Sequence, residues 1–168
     1  MKLLKRTSII TLAIIVSMAM AAPAFASSIT KSDAVSKALK NAGVTKAGVH
    51  KLKVSKENRK YEIEFIRNKD NAEFEYEICI KNGRILEKEI DYKLPRAKGT
   101  KKIGKKKARA KAAAYTKVRL STVKKGSCTY DKKDREYDLK FRTCKYKYEL
   151  DIDAASGKVK EYSKKYRR

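Results

Sequence analysis

With 168 residues, no tryptophan and a single histidine, the chain has room for one or two small domains but little of the side-chain chemistry that hydrolases and metalloenzymes use. Lys and Arg number 44 against 19 Asp and Glu, a net charge of +25 that bears on partners and surroundings rather than on fold. Three cysteines cannot all pair within one chain, so a fully closed disulfide framework is excluded.

Lys2, Lys5 and Arg6 precede an apolar run over residues 9–22, and Ala24-Phe25-Ala26 supplies a small-x-small cleavage pattern. Residues 1–26 therefore read as a secretory signal peptide cut after Ala26. The run is shorter than the ~20 residues of a membrane span, and no cysteine follows closely enough for lipid attachment. A secreted or envelope-associated protein is expected, its charge reduced to +22 by loss of the three leader cations.

Thr30 and Asp33 form a capping-box-like start, Ala34, Val35, Ala38, Leu39 and Ala42 follow at helical spacing, and Gly43 stands where a helix stops. Three alternating runs come next. Leu52 and Val54 share one face; Tyr61, Ile63 and Phe65 alternate with glutamates; Phe74, Tyr76, Ile78 and Ile80 do the same. Asn82-Gly83 is a hairpin signal leading to a short last strand over residues 84–86. One face of this sheet is apolar and must be covered by the helix.

Residues 93–102 carry five basic residues, no acid and Leu94-Pro95, and read as a linker. The order then repeats. Ile103, Ala108, Ala112 and Tyr115 mark a helix preceded by Gly104, a moderate cap. Val123, Cys128 and Tyr130 stand for the first strand, with Cys128 at the place of Val54 as a small buried hydrophobe. Tyr137, Leu139 and Phe141 match Tyr61, Ile63 and Phe65; Tyr146, Tyr148, Leu150 and Ile152 are matched to Phe74, Tyr76, Ile78 and Ile80. The phrase Tyr-Glu followed by alternation and a turn glycine occurs twice, at residues 76–85 and 148–159.

The expected fold is α+β: two tandem modules, 27–92 and 103–168, each with one helix on a three- to four-stranded antiparallel sheet and joined by the linker 93–102. This layout resembles the PepSY domain family. The residues that carry the likeness are Ile29, Ala34, Ala38, Tyr61, Tyr76, Glu77, Gly83 and Ile85, and in the second half Ile103, Ala108, Ala112, Tyr137, Tyr148, Glu149, Gly157 and Val159. The resemblance implies a secreted or envelope regulatory module that inhibits or restrains a peptidase, and a secreted peptidase as partner.

The residues themselves offer no catalytic constellation. His50 has no cysteine or second histidine at metal-ligand spacing, so it reads as a surface residue and no metal or cofactor is expected. No serine sits in a recognisable nucleophile turn and no glycine-rich phosphate loop is present. Glu62, Glu64, Glu73, Glu75 and Glu77 share the wet face of the first sheet, where pairing with Lys51, Lys53 and their neighbours outweighs a cation or basic-peptide site. Cys79 stands out as the candidate exposed thiol, and a Cys128–Cys144 bridge is too long for the inferred register.

Charge is the one feature that points to a surface. Residues 29–92 hold 14 basic and 11 acidic side chains, whereas residues 103–168 hold 22 and 8. Lys101, Lys102, Lys105, Lys106, Lys107, Arg109 and Lys111 form the densest run and are the candidate anion-binding residues. The alternative to a peptidase regulator is therefore a polycation adhering to anionic wall polymer or a membrane surface, with nucleic acid ranked below both.

Overall fold

The computed structural model describes residues 28–95 and 101–167. The proposed leader and the middle of the linker, residues 96–100, lie outside them.

Helix α1 (Lys31–Ala42) begins at Thr30, whose Oγ1 accepts from the Asp33 amide at 3.1 Å, while the Thr30 amide donates to Asp33 Oδ2 at 2.9 Å. It ends at Gly43, in the left-handed region at φ 69°, as the sequence predicts. Four strands follow: β1 (Val49–Glu57), β2 (Lys60–Arg67), β3 (Glu73–Cys79) and β4 (Ile85–Asp91). The second half continues with α2 (Lys105–Thr116), β5 (Lys125–Asp131), β6 (Glu136–Arg142), β7 (Tyr146–Asp153) and β8 (Val159–Tyr166). A short 3₁₀ turn precedes β1 and another precedes β5.

These strands do not make two sheets. They form one antiparallel sheet of eight strands in the order β1-β2-β3-β4-β8-β7-β6-β5. Strand β4 is seven residues long rather than the expected three, because one edge pairs with β3 and the other with β8. Its last residues, Glu87 to Asp91, are mostly charged, so their extended state depends on these two partners and leaves little apolar alternation to read.

The two halves are related by an approximate two-fold axis between Glu89 and Ser163, which are paired with each other. Equivalent hydrogen bonds recur on both sides of it: the Ile29 amide donates to Ile80 O and the Ile103 amide to Ala154 O, both at 2.8 Å. The Gly83 amide donates to Cys79 O at 2.8 Å and the Gly157 amide to Asp153 O at 2.9 Å. The halves are therefore in register at the turn glycines, and the matching of Tyr148 to Tyr76 is corrected by two residues. Tyr148 stands where Phe74 stands, opposite Phe141 as Phe74 is opposite Phe65, and Leu150 takes the place of Tyr76.

Both helices cover the same face. Helix α1 lies on β2 and β3, and α2 on β5, β6 and β7. Beneath them Ile63, Phe65, Phe74, Tyr76 and Ile78 in one half, and Cys128, Leu139, Leu150 and Ile152 in the other, are buried. Phe65 stacks on Phe74 at 5.1 Å and Phe141 on Tyr148 at 4.9 Å, contacts worth about 0.5–1.5 kcal/mol each beyond the area they bury. Tyr92, Tyr115 and Tyr162 tie α2 to the central strands, with the Tyr92 and Tyr115 hydroxyls 2.6 Å apart. Buried Gly83 and Gly157 have φ of 64° and 72°, and a Cβ there would meet Ile29 Cγ2 at 3.3 Å and Ile103 Cδ1 at 3.2 Å. Glycine is thus required twice over at these turns, by backbone and by space.

Candidate binding surfaces

The seven cations predicted from sequence are all exposed, along the lead-in to α2 and on α2 itself. Among the described residues none of them is in an ion pair. At about 100° per helical residue, buried Ala108 and Ala112 fix the inner side, and the cations spread over the remaining arc. Arg109 lies toward Cys128 on β5, whereas the Lys111 stem lies against the β7–β8 turn at Gly157. Lys102 Nζ sits 3.8 Å over the Tyr130 ring. Such a fan cannot close around one small anion; it suits an extended polyanion.

The uncovered face of the sheet is organised differently, and only the register reveals it. Reading across the strands, Glu64, Glu75 and Glu89 are successive partners, followed by Ser163, Glu149 and Lys140. The neighbouring row runs Glu73, Asp91, Glu161, Asp151 and Asp138. Together they line a groove of about 860 Å³ that crosses the sheet from Lys51 and Lys53 on β1 to Asp138 and Lys140 on β6. An acidic groove thus crosses a strongly basic protein.

Cations neutralise its rim. Lys53 reaches Glu64 at 3.5 Å, Lys140 reaches Glu149 at 2.9 Å, and Lys93 bridges Glu73 and Asp91 at 2.9 and 2.5 Å. Lys93, read from sequence as the first residue of the linker, is thereby held to the sheet. Lys60 holds Glu62 and Glu77 at 2.7 and 2.5 Å, and Lys160 is bonded to Glu136. The expected pairing of the wet-face glutamates therefore holds for four of the five. Glu75 is the exception: no described lysine or arginine pairs with it.

Burial and the neighbouring Glu89, Glu64, Glu62 and Glu77 push the Glu75 carboxyl above the usual carboxylate range. Burial, with Asp91 and Glu136 nearby, does the same to Glu161. Asp151 is pushed up to about 7 by burial and then by Glu136, Asp138 and Glu161, against which Lys160 acts only in part. The carboxylates of Glu136, Asp138 and Asp151 lie within 4.8 Å of one another, the one such triad among the described residues, and Lys160 already occupies Glu136.

Beyond the groove, Lys165, Lys147, Arg142 and Lys125 are successive cross-strand partners, a second cationic row that the sequence scatters over forty residues. On the covered face Lys88 and Lys164 pair side by side across the β4–β8 joint. Lys88 donates to Asn41 Oδ1 at 3.0 Å, and burial, aided by Lys164 and Arg67, lowers its ammonium to about 8. His50 is exposed, its Nδ1 2.7 Å from Asn68 Oδ1. Among the described residues no helix is long and apolar enough to cross a membrane.

Residues 28–89, from the lead-in of α1 into β4, match the family described as "Peptidase propeptide and YPEB domain", PepSY. No curated protein matches the chain. Among solved structures, a protein of Clostridium difficile 630 described as a candidate lipoprotein is 18% identical, with 82% of this chain and 94% of that one covered and a TM-score of 0.31. The C-terminal domain of YpeB from Bacillus megaterium is 15% identical, with 83% and 66% covered and a TM-score of 0.29. Scores this low carry no weight for fold or function. The family match is of another order, since it spans the capped helix, the three alternating strands and the glycine turn that build the first half: residues 28–89 are similar to the PepSY family.

Proposed function

We propose that the protein is a secreted, non-catalytic binding protein in which residues 103–168 repeat the PepSY unit of the first half, and that it restrains a secreted peptidase. The observation that carries this reading is the family match over residues 28–89, a family whose description joins it to peptidase propeptides. The recurrence of helix and four strands about the Glu89–Ser163 axis supports the second unit. The test is a pull-down from the secreted fraction with the mature chain, followed by assay of the captured peptidase. Slowed cleavage is expected; capture of no peptidase, or unchanged cleavage, overturns the inhibitory role.

A second reading rests on a separate observation, the exposed cations of α2 and its lead-in, none of them in an ion pair among the described residues. On it the chain adheres to anionic wall polymer or lipid surface through Lys101, Lys102, Lys105, Lys106, Lys107, Arg109 and Lys111. Adhesion of this kind weakens steeply as salt rises, through release of condensed counterions and screening. Binding to purified wall that is the same at roughly 50 mM and 500 mM salt, on either side of physiological screening, rules it out.

A further inference from the structure

The geometry points to the acidic groove on the uncovered sheet face as a docking site for a Lys- or Arg-rich peptide segment of a partner. Five of its carboxylates, Glu75, Glu89, Asp138, Asp151 and Glu161, are not in an ion pair with any described lysine or arginine. The sequence has more than two cations for every acid, yet it places them at the rim and leaves these five facing one another across adjacent strands. Like charges directly opposite in a sheet cost stability. A cationic occupant removes that cost, which Lys160 and Lys93 offset only in part at Asp151 and Glu161.

Size agrees with charge. From β1 to β6 the groove crosses six strand spacings, about 29 Å at ~4.8 Å each, the reach of roughly nine extended residues at ~3.3 Å apiece. The protein's overall positive charge does not forbid the contact. Its densest cations lie on α2, across the sheet from the groove, and ions at physiological strength screen charges more than about 8 Å apart. Within the groove the local carboxylates set the field. The proposal rests on the reading of the chain as a binding protein and names the chemistry of what it binds; it does not require that the partner be a peptidase.

The test is fluorescence anisotropy of a labelled nine-residue peptide of alternating lysine and alanine, titrated with the mature chain. The triple variant Glu75→Gln, Glu89→Gln, Asp151→Asn is expected to bind it at least tenfold more weakly, while Lys105→Gln, Lys106→Gln, Lys107→Gln binds it no more weakly than wild type. Amide shift mapping on the wild-type chain, which needs no variant to fold, is expected to place the peptide along Glu75, Glu89 and Asp151. No binding, undiminished binding to the triple variant, or shifts confined to α2 overturn the inference. So does calcium alone if it occupies these carboxylates and expels the peptide. Peptide binding without any peptidase restrained leaves the inference standing and defeats the inhibitory role; a peptidase restrained while the peptide fails to bind does the reverse.

Discussion

Asp151 is the residue at which the groove's electrostatics can be measured directly. Its ordinary pKa of 3.8 is raised to about 7 in the fold, so between those values the native state holds a proton that the unfolded chain has lost. Stability from this group is therefore greatest in acid and declines as pH rises through about 7. Asp151→Asn removes the decline. Because the side chain is only half-buried, solvent screening reduces the effect, and the variant is expected to be about 1 kcal/mol more stable than wild type at pH 8. The two melt together at pH 4; urea titrations at both pH values check this, and equal gains at both exclude the assignment. The thiols give a second residue-scale test. All three are free, and the most exposed is Cys144, in the β6–β7 turn, rather than the half-buried Cys79 favoured by alternation alone. Cys128 is buried beside Leu139, and burial pushes its thiol up. A thiol reagent is expected to modify Cys144 first and Cys128 only on unfolding; early modification of Cys128 contradicts the packing of β5.

At the scale of elements, the two helices are stabilised by different means. Helix α1 has a complete capping box, and Thr30→Ala is expected to cost about 1 kcal/mol in chemical denaturation. Helix α2 starts at Gly104 with φ 82° and no side-chain cap, its amide donating instead to the Tyr137 hydroxyl at 3.1 Å. Lys105, Lys106 and Lys107 crowd its positive end, so Lys105→Glu is expected to raise stability by about 0.5 kcal/mol. A loss on that substitution would mean that Lys105 has a partner of its own. Much of this was legible in the sequence, because caps, turn glycines and alternation act locally: both helices and the Gly83 hairpin lie where those signals put them. The two-residue slip in matching Tyr148 to Tyr76 has an equally physical cause. A strand pattern of period two keeps every side chain on its face after a shift of two, so alternation cannot distinguish Tyr76 from Phe74 as the equivalent of Tyr148. Only the hydrogen bonds at Gly83 and Gly157 fix the count. The acidic groove was hidden for a related reason: Asp91 and Glu161 are 70 positions apart and become partners only when β4 pairs with β8.

For the whole molecule, that β4–β8 pairing is the decisive joint, and its charges are asymmetric. In the intact chain Glu87 faces Lys165, Glu89 faces Ser163 and Asp91 faces Glu161. The two-fold relation means that each half, made alone, exposes an edge that could pair with a second copy of itself in the same register. Two β4 edges would set Glu87 against Asp91 and Glu89 against Glu89, all like charges. Two β8 edges would instead set Glu161 against Lys165 and Ser163 against Ser163, with opposite charges facing. Residues 27–92 alone are thus expected to remain monomeric and to melt below the intact protein, since a unit of this size buries too little to stand well by itself. Residues 103–168 alone are expected to dimerise through β8, and Lys165→Glu to abolish the dimer by placing Glu161 opposite a glutamate. Sedimentation of the two halves decides the matter: a dimer of the first half, or a second half that stays monomeric at the concentrations where its fold is intact, would show that the joint is not held by the register and charges of β4 and β8.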